Sequence, residues 1–147
     1  MPKLAKVGAA VTRELRHART ARPKGFSILI ADPDGAEVAG KLRRRGVTVF
    51  QSEVMSEALA LFDGEQPTYV IASLVLGGTS GIALARVMRQ VRPAVPVLIT
   101  CNTPWMREDV EAFGFDFATP PLLLKTVLAW TARREGAEAA SAASPAP

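Results

Sequence analysis

Short apolar runs alternate with stretches of helical period five times between residues 26 and 134, and this alternation limits the folds open to the chain. Clear examples are "ILIA" from residue 28, "YVIASLVL" from residue 69 and "VPVLIT" from residue 95. Runs of this length indicate β-strands, and intervening stretches such as "SEALALF" indicate amphipathic helices. Parallel neighbouring strands need crossover connections, which are right-handed. The pattern predicts an α/β fold in which helices cover both faces of a five-stranded parallel sheet.

Turn residues set the boundaries of the predicted elements. We expect the strands at residues 26–31, 47–50, 69–76, 95–100 and 115–119. Helices are expected after the acidic turn at 32–35, over 56–62, 82–91 and 104–113, and after the prolines at 120 and 121. Gly46, Gly64 and Gly114 are expected to end helices, and residues 77–81, which are rich in glycine, are expected to form a loop.

Candidate functional residues lie at the carboxyl ends of the strands, where parallel α/β sheets bind their ligands. These residues are Asp32, Asp34, Ser73, Thr100, Cys101 and Pro120. The only histidine, His17, lies outside the strand-and-helix body, so Ser73 and Cys101 have no evident base for nucleophilic catalysis. We expect Asp34 to cap the following helix, with a metal site at Asp32 and Asp34 as the alternative.

The glycine-rich segment at residues 77–81 is not a phosphate-binding loop of the familiar kind. It lacks the lysine that such loops carry, and it follows the third predicted strand rather than the first. Cys101 is expected to fill a small buried space beside Thr100 rather than to act as a redox thiol. From these observations we predict that the chain is not an enzyme and needs no metal or cofactor.

Positive charge is concentrated at the amino-terminal end. Residues 1–25 hold seven of the 18 basic residues and one of the 14 acidic ones, which gives this segment +6 and leaves −2 for the remainder. Apolar residues at positions 4, 7, 11, 15 and 18 would share one side of a helix, and that pattern predicts a basic amphipathic arm. Its candidate contact residues are Arg13, Arg16, Arg19 and Arg22.

Four interpretations of the arm are open. It is a helix that docks on a partner or is solvated, a frayed extension, a segment that contacts nucleic acid or an anionic membrane, or a cleaved targeting peptide. At the other terminus, residues 136–147 are mainly Ala, Ser and Pro and predict a disordered tail. The domain is therefore expected over residues 26–135. One cysteine and no apolar stretch of membrane-spanning length favour a cytoplasmic protein.

Five motifs together carry a resemblance to a known family. They are "ILIADPD" from residue 28, "SEALALF" from 56, "YVIASLVLGGTSG" from 69, "VPVLIT" from 95 and "GFDFATPP" from 114. In order and spacing, residues 26–134 resemble the receiver domain of bacterial response regulators. The resemblance implies the flavodoxin-like (βα)5 topology of that family and a role in signal transduction by two-component systems.

The resemblance also assigns a place to each candidate residue. Receivers hold magnesium with a pair of acids after the first strand, accept phosphate on an aspartate after the third, and have a Thr or Ser and a Lys after the fourth and fifth. The corresponding residues here are Asp32, Pro33, Ser73, Thr100 and Pro120, with Phe117 at the aromatic switch position. Two carboxylates and a cation are thereby lost, so the resemblance implies a degenerate receiver that cannot carry out phosphoryl transfer.

Receivers commonly signal through the face of their fourth helix, fifth strand and fifth helix. The partner-binding candidates on that face are Trp105, Met106, Leu123 and Trp130. The alternative is that both tryptophans lie partly buried against their own helices. We expect a stand-alone adaptor or allosteric regulator in bacterial signalling that binds a protein partner, or a second copy of itself, without phosphorylation. The alternative function is regulation through contact of the arm with nucleic acid or an anionic membrane.

Overall fold

Five strands form one parallel sheet. The structure, a computed structural model, describes residues 26–77 and 79–143. Its sheet contains β1 (Ser27–Ala31), β2 (Thr48–Ser52), β3 (Tyr69–Ser73), β4 (Val97–Thr100) and β5 (Asp116–Ala118). They pair in the order β2-β1-β3-β4-β5, and every neighbouring pair is parallel. The predicted fold class and (βα)5 topology are confirmed.

Five helices cover the two faces of the sheet. They are α1 (Ala36–Arg44), α2 (Met55–Glu65), α3 (Gly81–Val91), α4 (Arg107–Ala112) and α5 (Leu124–Ala143). One face packs against α1 and α5 through side chains such as Leu42 and Val127. The other packs against α2, α3 and α4 through Phe62, Leu84 and Val110. The central strand β3 is covered on both faces, which explains why its sequence shows no polar alternation.

Two of the three predicted glycine stops are present. Gly46 and Gly114 have φ of 85°, a left-handed conformation that glycine adopts without strain, and each follows a helix. Their N–H groups donate to the carbonyls of Arg43 and Glu111, both at 2.9 Å. Gly64, by contrast, lies inside α2, which continues for one residue beyond it.

The third strand is shorter than predicted. β3 ends at Ser73, and Val75–Leu76 pairs with Thr79–Ser80 as a small antiparallel hairpin. The two residues between these short strands are both glycine, a favoured composition for a two-residue hairpin turn. The glycine-rich segment therefore contains half of a hairpin rather than only a loop. Gly77 also bridges to Val54, which fixes the hairpin to the connection between β2 and α2.

The last helix is longer than predicted. α5 extends through Ala143, so residues 136–143 are helical where a disordered tail was expected. Alanine makes up five of these eight residues and favours helix, although it supplies little apolar surface to bury. Across the described part of the chain, no helix is both long and apolar enough to cross a membrane. Residues 1–25 and 144–147 lie outside the described residues. The basic amphipathic helix expected for the arm therefore stays a prediction.

The start of α1 differs from the prediction. Its N-cap residue is Gly35, which has no side chain to cap the helix, so the capping role expected for Asp34 is wrong. Gly35 donates its N–H to the Asp32 carbonyl at 3.0 Å and so closes a turn. The N–H of Asp34 is directed within the same turn, to the Asp32 side chain at 2.9 Å.

Trp130 belongs to the core. Its side chain is 1% exposed and lies against Tyr69, with the ring centroids 5.4 Å apart. The indole N–H donates to the Asp116 carboxylate at 2.7 Å, and Arg134 pairs with the same carboxylate. This position contradicts the prediction that Trp130 contacts a partner. Leu123 directly precedes α5, and its carbonyl accepts a hydrogen bond of 3.1 Å from the Val127 N–H at the start of the helix.

Arg43 of α1 covers the outer side of the edge strand β2. Its guanidinium donates to the carbonyl of Val49 at 2.7 Å and to Oε1 of Gln51 at 2.8 Å. Unpaired backbone groups on an edge strand can pair with another chain, and a charged side chain across them hinders that pairing.

Candidate functional site

Three of the candidate residues meet at the carboxyl edge of the sheet. Asp32 directly follows β1, whereas Ser73 and Thr100 are the last residues of β3 and β4. Ser73 and Thr100 are register partners, and Ala31 pairs with Ala72 on the other side of β3. The sheet therefore brings together the residues at the first-acid, phosphoacceptor and hydroxyl positions, as the resemblance implies.

The Asp32 carboxylate is held by hydrogen bonds on both oxygens. Its side chain is largely buried, with 9% of the residue exposed. Oδ2 accepts a hydrogen bond of 3.1 Å from the Thr100 hydroxyl, and Oδ1 accepts one of 2.9 Å from the Asp34 N–H. Thr100 is itself 2% exposed. Because β3 lies between β1 and β4, the bond from Thr100 to Asp32 crosses the carboxyl end of β3.

Ser73 supplies a half-buried hydroxyl beside this bond. Within residues 26–77 and 79–143, no hydrogen bond engages that hydroxyl. The carbonyl of Ser73 lies so close to Gly81 that a Cβ there would be 2.1 Å from the oxygen. A glycine is therefore required at the first position of α3, and the spacing of eight residues between Ser73 and Gly81 reflects this close approach.

Two positions of the receiver pattern, those of the second acid and the lysine, contribute no charge here. Pro33 and Pro120 are both exposed, and neither has a polar side-chain atom. Phe117 is 7% exposed and buried inward, with the Arg107 guanidinium 4.8 Å from its ring centroid. Cys101 is buried as expected, and its Sγ lies 2.8 Å from the hydroxyl oxygen of Thr103.

The residues at this edge do not fit the magnesium site that the resemblance implies. Magnesium is usually held by one or two carboxylates together with phosphate oxygens and water. Of the residues at the receiver positions, Asp32 alone is a carboxylate, while Pro33 and Ser73 add no anionic ligand. In the described part of the chain, no group of three His, Cys, Asp or Glu side chains is placed to hold a metal ion.

A cleft beside this site was missed by sequence reasoning. It has a volume of about 360 Å³ and lies between the β1–α1 and β2–α2 connections. Its polar lining includes Asp32, Ser52, Glu53 and Glu57, and Pro33, Ala36 and Val54 add apolar surface. No candidate residue was taken from the end of β2. The signal that could have revealed the cleft is the pair of acids at residues 53 and 57, directly after the second predicted strand.

The remaining partner-binding candidates differ in exposure. Trp105 is 77% exposed in the short 3-10 turn Pro104–Met106, and Leu123 is 42% exposed. Met106 is half-buried and packs against the core under α4. Since β4 pairs with β5, the connections that carry Trp105 and Leu123 leave adjacent strands at the same edge of the sheet.

Solved receiver domains share this architecture. The chemotaxis protein CheY4 of Vibrio cholerae aligns with a TM-score of 0.67 at 19% identity, over 75% of this chain and 98% of its own. A CheY-like receiver domain protein of Methanospirillum hungatei gives 0.67 at 19% identity, over 76% and 94%. The HemR receiver domain of Leptospira biflexa gives 0.64 at 23% identity, over 75% and 93%.

Comparison of the sequence with protein-family models and with curated proteins finds no match. The alignments cover nearly the full length of each of these solved domains. The chain therefore has the flavodoxin-like fold of CheY-like response-regulator receiver domains.

Proposed function

We propose that this chain is a protein-interaction module with a receiver fold, which acts in bacterial signalling without phosphorylation on aspartate. The observation that supports this proposal most directly is the hydrogen bonding of Asp32. Both oxygens of this one carboxylate are engaged, by Thr100 and by the backbone of Asp34. The carboxylate thus helps to hold the edge of the sheet together, and no second carboxylate stands at Pro33 or Ser73.

Phosphoryl transfer to a receiver requires an anionic nucleophile, a divalent cation and a positive charge to stabilise the transferred group. At the nucleophile position Ser73 has a hydroxyl, which is a weak nucleophile without a base. Pro33 and Pro120 provide neither the second acid nor the cation. We infer that these substitutions leave the fold intact as a binding surface and remove its chemical switch.

A phosphodonor experiment tests the proposal. The native protein is incubated with acetyl phosphate and Mg²⁺, and bound phosphate is measured by intact mass spectrometry before and after hydroxylamine, which cleaves acyl phosphates. We expect no hydroxylamine-sensitive phosphate. Phosphate that hydroxylamine releases from the native chain would overturn the proposal.

A restored variant is the matched positive control. The triple variant Pro33→Asp, Ser73→Asp and Pro120→Lys returns two carboxylates and one cation to the positions that the receiver pattern requires. With circular dichroism unchanged, we expect it to acquire hydroxylamine-sensitive phosphate in the presence of Mg²⁺ and not in its absence. If the restored variant gains none, the side chains at these three positions do not account for the loss of chemistry.

We propose that Trp105 and Leu123 anchor the partner protein. An exposed aromatic side chain and an exposed aliphatic one, carried by connections that leave adjacent strands at the same edge of the sheet, have the usual composition of an interface anchor. Substitution of both by serine should abolish capture of the partner from an extract of the source cell and leave circular dichroism unchanged. Val91→Ser is the matched control. Val91 is also exposed, at 64%, but it is the last residue of α3, and this end of the helix lies away from the carboxyl edge of the sheet that carries Trp105 and Leu123. Equal loss of capture in the control would contradict this assignment.

A further inference from the structure

The cleft between the β1–α1 and β2–α2 connections is lined by acids that have no ionic partner among residues 26–77 and 79–143. Glu53 and Glu57 line it, and Asp34 follows the lining residue Pro33 in the chain; all three side chains are exposed. Among the described residues none of these three carboxylates forms an ion pair. Negative charge is therefore concentrated on one concave surface, which attracts a cationic ligand.

The same surface is partly apolar. Val54 lines the cleft and is 43% exposed, and Pro33 is exposed beside it. Val75, which is 79% exposed, lies on the hairpin that Gly77 joins to Val54. A ligand that fits this surface combines positive charges with aliphatic side chains, so it is an amphipathic basic segment rather than a bare cation.

The chain itself contains a segment of that chemistry. Residues 1–25 carry a net charge of +6, and Leu4, Val7, Val11 and Leu15 recur at helical spacing. The described body carries the opposite net charge. We propose that residues 4–18 dock in this cleft of their own chain, with basic side chains, lysine as well as arginine, against Glu53 and Glu57 and the aliphatic side chains against Val54 and Val75.

Chain length permits this docking. The arm enters at the start of β1, and the cleft lies at the other end of that strand, which spans about 17 Å for five residues. Residues 19–25 reach about 23 Å when extended, at about 3.3 Å per residue. Attachment to the same chain gives the arm an effective concentration of about a millimolar, so exposed ion pairs of modest strength suffice.

Docking has a consequence for the arm's other interpretations. Arg13 and Arg16 lie in the docking segment and are also among the residues that would contact a polyanion. Nucleic acid or an anionic membrane must therefore compete with the body of the protein for the arm. Binding of the arm elsewhere would uncover the carboxyl edge beside Asp32.

Zero-length crosslinking of the full native chain tests the proposal. A carbodiimide couples lysines to carboxylates in direct contact, and the arm offers Lys3 and Lys6 for this reaction. Mass spectrometry should find them coupled to Glu53 or Glu57. The yield should fall by at least roughly fivefold at high salt, because exposed ion pairs are screened. Dominant coupling to Glu108 or Asp109 on α4, or no coupling, would overturn the proposal.

Isotope mixing identifies the chain that supplies the arm. Equal amounts of ¹⁵N-labelled and unlabelled protein are crosslinked together, and crosslinks within one chain contain a single isotope. We expect single-isotope crosslinks. Mixed-isotope crosslinks at the statistical fraction would show that a second copy supplies the arm and would overturn intramolecular docking.

Charge reversal provides a second readout. Hydrogen exchange of residues 4–18 is measured in the double variant Glu53→Lys and Glu57→Lys and in the control Glu108→Lys and Asp109→Lys, which has the same change in net charge. We expect faster exchange only in the first variant. Equal exchange in the two variants would contradict docking at the cleft, and the crosslinks of the native chain decide the matter if either variant fails to fold.

Discussion

The Thr100 hydroxyl donates a hydrogen bond of 3.1 Å to the Asp32 carboxylate, and this bond joins β4 to the end of β1 across the carboxyl end of β3. Both residues are largely buried, so the bond takes the place of most of their contact with water. A buried carboxylate that loses a partner bears the cost of its desolvation. The contact therefore contributes to the stability of the edge that the sequence analysis identified as the candidate site.

Thr100→Val removes the hydroxyl with little change of shape. We expect the free energy of unfolding to fall by about 1 to 3 kcal/mol, because Asp32 stays buried with one fewer donor. Urea unfolding followed by circular dichroism measures this change. Ser73→Ala, one strand away, should change stability by no more than about 0.5 kcal/mol, since none of the described residues bonds its hydroxyl. Equal losses in the two variants would contradict the role assigned to Thr100.

Tyr69 is the only tyrosine, so its ionisation can be followed without interference from another phenol. Burial raises the pKa of Tyr69 above its ordinary value of about 10, and a hydrogen bond of 3.0 Å to the Glu135 carboxylate raises it further. Between the pKa of Tyr69 in the unfolded chain and its higher pKa in the folded protein, the folded state thus keeps a proton that the unfolded state releases. Stability that is present below about pH 10 should decline as the pH rises above that value.

Ultraviolet difference absorbance at 295 nm tests the prediction for Tyr69. In the folded protein, tyrosinate should form well above pH 10 or only together with unfolding, whereas in urea it should form near pH 10. Glu135→Gln should bring the folded pKa of Tyr69 closer to its ordinary value, because the charged acceptor is removed. A folded titration that coincides with the one in urea would contradict the burial of this side chain.

The two tryptophans should respond oppositely to substitution. Trp130→Phe leaves a gap in the core and removes the indole donor from Asp116, so we expect a loss of about 2 kcal/mol or more in the free energy of unfolding. Trp105→Phe should cost no more than about 0.5 kcal/mol, because Trp105 is 77% exposed. Fluorescence of Trp105→Phe reports Trp130 alone and should be blue-shifted and protected from iodide. Ready quenching would place Trp130 at the surface.

Gly81 and Gly40 form a pair of opposite tests for the same substitution. A Cβ on Gly81 would lie 2.1 Å from the carbonyl oxygen of Ser73, which is backbone and cannot move aside. We expect Gly81→Ala to cost about 3 kcal/mol or more. In the middle of α1, a Cβ on Gly40 would meet only the end of the Arg44 side chain at 3.6 Å. Gly40→Ala should therefore stabilise the protein by about 0.5 to 1 kcal/mol.

Thermal unfolding of both glycine variants measures these effects. The melting temperature should fall for Gly81→Ala and rise for Gly40→Ala. A neutral result for Gly81→Ala would mean that the start of α3 can move away from β3, and the close approach would then not explain the glycine.

The sequence predicted the sheet because the apolar runs that become β1, β3 and β4 are long and nearly uniform. It also predicted the ends of α1 and α4, where Gly46 and Gly114 have positive φ. Features that depend on tertiary contacts were less accessible. The sequence placed Trp130 on the last helix but left open whether it is buried. Its indole N–H can be buried because Asp116 on β5 accepts a hydrogen bond from it.

The candidate site was predictable in part for the same reason. Parallel topology places Asp32, Ser73 and Thr100 at one edge, so their proximity followed from strand order alone. The bond between Asp32 and Thr100 could not be inferred, since it depends on the side-chain conformations of residues 68 positions apart. The acidic cleft was missed because its carboxylates follow β2, an edge strand from which no functional residue was expected.

Arg43 has a consequence for how this protein can be recognised. With a guanidinium lying over the carbonyl of Val49, the free margin of β2 is a poor template for the backbone of an incoming peptide. Recognition by strand addition, which reads a peptide through its main-chain groups, is disfavoured there. Ligands of this margin must be selected by their side chains, and their specificity will depend on shape and charge.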